Sequence, residues 1–304
     1  MYPIKRVNPD LAENLEPLGT KRKYWYREGE TRLLFKAEER GTGEDWAEKI
    51  CCELAALLGL PHVHYDLALE VGTNKPGVVC ASCVAPPVSL ALGNQVLLAI
   101  DETYPASDGR KFKVKAHTVS AVADAVVLLQ PPPPPWMDHT PPGIGTALDV
   151  FTGYIMLDAW VANQDRHHEN WAILWQAHSL WLAPTFDHGA ALARNLTDKE
   201  RKERLTTNDR NRQIPAFAAR ARSAFFEDPA ATRPMTTYAA WRAFARQAKP
   251  AAKIWKGRLA AIDPPTIRGI VDGIPPSRMS PVCREFTMAL LEENQRRILA
   301  DEDE

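Results

Sequence analysis

Between residues 147 and 187 the chain runs apolar, polar, apolar. "ALDVFTGYIMLDAWVAN" has the apolar density of a helix buried on all sides. The octet "NQDRHHEN", residues 163–170, is polar at every position. "WAILW" and "LWLAPTF" then read as two short strands joined by "QAHS", the second running into Asp187. Rigid apolar elements on both sides of a polar loop are what is needed to hold a set of reactive side chains still.

Upstream, residues 16–36 read as two strands around a turn at "REGE", ending on Lys36. "TGEDWAEKICCELAALLGLP" is predicted helical, with Ile50, Leu54, Leu57 and Leu58 at helical spacing. Thr42 and Asp45 suggest a capping box at its start, and Gly59 and Pro61 stop it. "HVHYDLALEV" and "GVVCASCV" are two further strands split by "GTNKPG". The first 85 or so residues therefore predict β-β-β-α-β-β, with Lys36 ending a third strand.

Beyond "APP" the pattern becomes helical, beginning with "TVSAVADAVVLL". Five prolines, Pro131 to Pro135, predict an extended spacer. After Asp187 comes a polar segment, "TDKERKERLTTNDRNRQ", and four helical stretches follow it. The basic stretch 194–222 holds nine Lys/Arg against four acids and reads as a solvated loop or a docking segment for an acidic or nucleic-acid-associated substrate. The fold class expected is α+β and two-lobed, a small β-rich lobe over residues 1–86 and a larger helical lobe over 87–304.

Composition narrows the function. The net charge of −1 gives no sign of a nucleic-acid or membrane partner, and no apolar run reaches membrane-spanning length. Five cysteines, two of them adjacent, do not form a disulfide framework. A cytoplasmic protein is expected.

Asp165 and Asn170 lie five positions apart in the polar octet, and Asp187 follows 17 positions later. Lys36 ends a strand, and Glu48 sits in the first turns of the next helix. These are the parts a two-lobed phosphotransferase requires. Lys36 would contact the phosphates of ATP and Glu48 would pair with it. Asp165 would accept the hydroxyl proton, and Asn170 and Asp187 would hold Mg²⁺. The underlying demand is charge neutralisation, since a triphosphate carries about four negative charges.

The pattern resembles the HipA-like serine/threonine kinases, a family sharing its active site with the phosphoinositide lipid kinases. The resemblance rests on N-x-D-x-H-x-x-N, present as Asn163, Asp165, His167 and Asn170. It extends to "LAPTFD", with Leu182, Pro184 and Asp187 on the family's magnesium strand, and to "EKICCELAALLGLP", "GNQVLL" and the last helix. It implies a serine/threonine protein kinase using ATP and Mg²⁺, of the kind found in toxin–antitoxin systems. The implied catalytic set is Asp165, Lys36 and Glu48, and the implied metal ligands are Asn170 and Asp187. The implied cofactor-binding set is Gly19, Thr20 and Lys21 of "LGTKRK", with Lys36 and the loop-bracing His167. Such kinases often phosphorylate their own phosphate loop, which points to Thr20. Two features depart from the pattern. His168 and Glu169 stand where a lysine is common, and the phosphate loop carries Lys21, Arg22 and Lys23 in place of small residues. The resemblance begins near residue 15, so the family's N-terminal regulator-binding part is expected to be absent and supplied by a separate small protein.

The expected partners are a protein substrate presenting a Ser or Thr hydroxyl and a small regulatory or antitoxin protein, with no membrane and no direct nucleic-acid contact. Other classes stay open: a lipid or small-molecule kinase of the same fold, a pseudokinase, or a metal-dependent hydrolase. The last is suggested by His62-x-His64-x-Asp66, whose alternate residues would share one face of a strand, together with His167 and His168.

Overall fold

A computed structural model describes residues 1–15, 22–39, 41–106 and 114–300. The N-terminal part is a six-stranded sheet: β1 (Ile4–Val7), β2 (Asn14–Leu15), β3 (Lys23–Glu28), β4 (Thr31–Ala37), β5 (Tyr65–Glu70) and β6 (Pro76–Ala81), in the order β1-β5-β6-β4-β3-β2. Helix α1 (Glu44–Leu58) connects β4 to β5. Alternation sorts the sheet into two faces. Tyr24, Tyr26, Leu33, Phe35 and Ala37 form a small core with Val7, Ala68 and Val79. Leu34 and Lys36 point the other way, toward α1 and the rest of the chain. Gly77 lets β6 come close to β4, for a Cβ there would lie 2.3 Å from the Lys36 carbonyl oxygen.

A second sheet, β7 (Ser89–Leu92), β8 (Ala172–Gln176) and β9 (Ser179–Leu182), lies against helices α2 (Gly93–Ile100) and α4 (Ala147–Trp160), on which α3 (Val119–Val127) packs in turn. The remaining helices are α5 (Asp198–Thr206), α6 (Ile214–Ala218), α7 (Thr237–Gln247), α8 (Lys249–Ala260), α9 (Pro264–Gly273) and α10 (Pro281–Leu299). Helix α4 is buried on nearly every face, so it is the axis about which the helical part packs. Its C-terminus is tied to α10, where Asn294 donates to the Trp160 carbonyl at 2.9 Å and the Trp160 indole donates to the Leu291 carbonyl at 3.2 Å. Among the described residues no helix is long and apolar enough to cross a membrane.

Four sequence expectations need correction. Lys36 is the next-to-last residue of the fourth strand, because the exposed segment Ile4–Val7 adds a parallel edge strand to β5. Thr42 does not cap α1. Gly43 stands at the N-cap in the left-handed region, and the Glu38 carboxylate accepts the Glu44 backbone N–H. The histidines of "HVHYD" precede their strand, which begins at Tyr65. The polar segment after Asp187 is partly helical: Thr197 and Glu200 form a reciprocal capping box that starts α5. Within it Arg201 pairs with Asp198 and Arg212 with Glu203, so part of its charge is neutralised internally.

One buried histidine joins these layers. The Nδ1–H of His117 donates to the Ala224 carbonyl at 3.2 Å, and its Nε2 accepts from the Trp171 indole at 3.3 Å. Its ring stacks on Phe225 at 4.5 Å. Burial depresses its pKa from 6.5 to about 3, and nearby His168, His167 and Arg166 act in the same sense. A depressed histidine stabilises the fold above the unfolded pKa and loses that contribution as pH falls. Between pH 7 and pH 5 the unfolded chain takes up a proton that the folded chain refuses, at a cost of about 2 kcal/mol. Urea unfolding at the two pH values should show this loss in the wild type, and His117→Gln should remove about that much of the pH dependence. An unchanged pH dependence in His117→Gln would count against the account.

Candidate active site

Strand β4 delivers Lys36 into a buried cleft between α1 and the residues after β9. Its Nζ lies 3.0 Å from Glu48 Oε1 and 2.9 Å from Asp187 Oδ1. Burial works against the ammonium, but the charges of Asp187 and Glu48 outweigh it and raise the pKa, so Lys36 stays protonated. Burial together with the Asp187 charge pushes Glu48 upward against the pull of Lys36. The Lys36 ammonium also lies 5.4 Å from the centre of the Tyr65 ring. The second oxygen of Glu48 accepts the backbone N–H of His188. One carboxylate on α1 thus holds both the lysine and the chain just after Asp187. Asp187 itself adopts φ 59°, a left-handed conformation that Asp tolerates better than most residues, and its backbone N–H donates to the Tyr65 hydroxyl at 3.4 Å.

The polar octet follows α4 and is built around Arg166, which is almost fully buried. Its Nε and one terminal nitrogen grip Asp158 of α4 at 2.7 and 2.9 Å. Its other terminal nitrogen donates to the Asn170 carbonyl at 2.7 Å. The nitrogen shared with Asp158 also donates to His188 Nε2 at 3.0 Å. Burial and the Arg166 charge hold His188 well below the usual histidine range, which suits an acceptor beside a guanidinium. Asn163 supports the same carboxylate, donating to Asp158 at 2.8 Å, and accepts the Asp165 backbone N–H at 3.2 Å. His167 Nδ1 accepts the Glu169 backbone N–H at 3.1 Å, and its Nε2 lies 3.4 Å from Asp165 Oδ1. Asn170 donates its amide to the Asp165 carbonyl at 2.7 Å.

The structure therefore brings Lys36, Glu48 and Asp187 into direct contact. It gathers Asp165, His167 and Asn170 in one loop and joins the two groups through Arg166 and His188. Gly19, Thr20 and Lys21 lie outside the described residues. Arg22 is taken up by Glu70 at 3.0 Å. His62 and His64 gather with Cys52, and that group does not include His167 or His168. The contributions of Asp158, His188 and Tyr65 were missed in the sequence. Asp158 left a trace, as a buried acid near the end of a helix whose other acid, Asp149, serves its N-terminal capping box. His188 left none, because adjacency to Asp187 says nothing of its contact with Arg166.

The donor set is suited to Mg²⁺, which demands hard oxygen ligands. With its amide nitrogen committed to the Asp165 carbonyl, Asn170 has its side-chain oxygen as the ligating atom. Asp187 offers a carboxylate that is 35% exposed.

The Arg166–Asp158 pair makes a stability prediction. Arg166→Met would leave a buried carboxylate supported by Asn163 alone, at a cost of about 3–5 kcal/mol. Arg166→Lys keeps the charge but loses the two-pronged grip, and should fall between the two. Chemical denaturation measures both, and a loss below about 1 kcal/mol in Arg166→Met would deny Arg166 its bracing role.

No protein-family model matches the chain, and no curated protein matches it in sequence. Solved structures do. The Helicobacter pylori proinflammatory kinase CtkA superposes with a TM-score of 0.69 at 19% identity, over 96% of this chain and 95% of that one. HipA of Shewanella oneidensis MR-1, from a toxin–antitoxin system and solved with HipB and operator DNA, superposes with a TM-score of 0.54 at 13% identity. That match covers 95% of this chain and 67% of HipA. The expectation of no nucleic-acid contact draws no support from a neighbour found with DNA. The α+β fold of this chain, a curled N-terminal sheet followed by a helical part, is the fold of the CtkA kinase and is shared with HipA.

Proposed function

We propose that the chain is an ATP-dependent phosphotransferase that transfers the γ-phosphoryl group of ATP to a serine or threonine hydroxyl of a protein. The observation that carries this reading is the Lys36 ammonium, held between Glu48 and Asp187. A buried cation with a fixed position is what a polyphosphate requires, and Glu48 keeps it from folding away when Asp187 turns to a metal.

In this reading Lys36 contacts the α- and β-phosphates. Asn170 and Asp187 would hold Mg²⁺, which would supply positive charge to offset that of the phosphates. Asp165 takes the hydroxyl proton of the substrate and orients its oxygen for in-line attack. His167 stands behind Asp165 and limits its rotation. Arg166 keeps the loop at a constant distance from the Asp187 segment through His188. Gly19, Thr20 and Lys21 form the phosphate loop, and Thr20 is the proposed site of inhibitory autophosphorylation. Residues 1–86 and 87–304 serve as the two lobes around the nucleotide. The substrate is a cytoplasmic protein, and a small regulatory protein of antitoxin type restrains the kinase.

Two variants separate the roles. Asp165→Asn preserves shape and removes proton acceptance, so it should retain ATP binding and lose transfer by at least about a hundredfold. Asp187→Ala removes a metal ligand and should abolish the magnesium-dependent thermal shift with ATP. Transfer by Asp165→Asn within about tenfold of wild type would remove Asp165 from its role. A surviving magnesium-dependent shift in Asp187→Ala would do the same for Asp187. Labelling of a lysate with γ-labelled ATP, followed by phosphoamino-acid analysis, tests the Ser/Thr assignment, which label appearing only in lipid or small molecules would contradict.

A further inference from the structure

Away from the Lys36 cleft, the far half of α1 meets the segment leading into β5 at a cluster of sulfur and nitrogen donors. Cys52 Sγ and one ring nitrogen from each of His62 and His64 all lie within 4.8 Å of one another. We propose that this is a binding site for a single zinc-like divalent cation, ligated by Cys52, His62 and His64 and completed by a solvent molecule.

The tautomers follow from the hydrogen bonds. A carbonyl oxygen can only accept, so the 2.7 Å contact between His62 Nδ1 and the Leu60 carbonyl places the proton on Nδ1 and leaves Nε2 with a lone pair. His64 is set the opposite way. Its Nε2 lies 3.1 Å from the Asp66 carboxylate, which leaves the lone pair on Nδ1, 3.7 Å from Cys52 Sγ. In both rings one nitrogen is tied to a carbonyl or a carboxylate, which leaves the other with its lone pair. This is the outer-shell arrangement that orients metal-binding histidines. Asp66 is therefore a positioning residue rather than a ligand, unlike in the His-x-His-x-Asp reading of the sequence.

The spacing agrees with a tetrahedral ion. Zinc–sulfur and zinc–nitrogen bonds of about 2.3 and 2.05 Å at a tetrahedral angle put sulfur and nitrogen about 3.6 Å apart. The observed separation is 3.7 Å. The Tyr65 backbone N–H donates to Cys52 Sγ at 3.3 Å and would support a thiolate. Lys49 is close by, but its ammonium is engaged by Glu53 at 2.6 Å and Asp66 at 3.5 Å. Cys52 is buried, while the His64 side chain is 62% exposed, so the site has an entrance and room for a solvent ligand. One thiolate and two imidazoles favour zinc over the magnesium expected at Asn170 and Asp187.

The position gives the site a consequence. Cys52 lies one helical turn beyond Glu48. His62 is flanked by residues that pair with the segment between β9 and Asp187, the Val63 N–H donating to the Thr185 carbonyl and the Thr185 N–H to the Pro61 carbonyl, both at 2.9 Å. A bound ion would pin the helix that carries Glu48 to the residues that pair with the segment leading to Asp187.

The test needs no activity assay. The full-length chain, stripped of metal with a chelator, is titrated with Co²⁺ and then Zn²⁺. One equivalent of Co²⁺ should give a thiolate-to-cobalt charge-transfer band with tetrahedral d–d absorption, and Zn²⁺ should displace it. Cys52→Ala should lose the charge-transfer band. His64→Ala, at an exposed position that the fold tolerates, should bind at least about tenfold more weakly. Absence of the band at stoichiometric Co²⁺, its persistence in Cys52→Ala, or unchanged affinity in His64→Ala would each overturn the assignment.

Discussion

A single buried ammonium organises the cleft. Lys36 can be buried only because two carboxylates, one on a helix and one after a hairpin, converge on it. An isolated charge in that position would cost several kcal/mol, so the elements bringing Glu48 and Asp187 are fixed relative to β4 by electrostatics as well as by packing. Two negative charges against one positive leave the cluster anionic. That imbalance suits a cleft whose metal ligand is one of its members, since a divalent cation at Asp187 would reverse the local sign.

From that centre the order spreads through His188. Its backbone N–H is held by Glu48 and its ring by Arg166, so one residue receives restraint from α1 on one side and from the polar loop on the other. Arg166 passes the restraint to Asp158 in the middle of the helical part. Each step is a buried polar contact with its partner in place, and a partly satisfied version would be worse than an apolar core. The octet is polar because its side chains hold the loop in shape and reach Asp158 and His188 beyond it, and its flanks are apolar because they anchor it.

Legibility in the sequence tracked how local each determinant is. The helix–loop–hairpin unit was readable because apolar density and the jump to eight polar residues are contiguous in the chain. Lys36, Glu48 and Asp187 were assigned from spacing and from the resemblance to kinases, and the structure places them in contact. The start of α1 was misread because its first N–H, that of Glu44, is satisfied by Glu38, outside the usual capping window. Helix α5 was overlooked because a helix of charged residues shows no apolar stripe, although its Thr197-x-x-Glu200 box was visible. β1 was overlooked because most of its side chains are exposed and only its pairing with β5 makes it a strand. His188 and the place of Cys52 beside His62 and His64 depend on contacts between segments distant in sequence or folded back on each other, so the His62-x-His64 pair was visible in the sequence and its partner Cys52 was not.

The central claim is that the Lys36 cluster is where a metal-bound triphosphate is held. The most direct measurement is the affinity of Mg²⁺–ATP, by calorimetry, for the wild-type chain and for Lys36→Met, with folding checked by circular dichroism. The account predicts that the wild type binds and that Lys36→Met, still folded, binds at least about tenfold more weakly, the equivalent of about 1.4 kcal/mol or more. Equal affinity in the two chains, or no binding by the folded wild type, would contradict it.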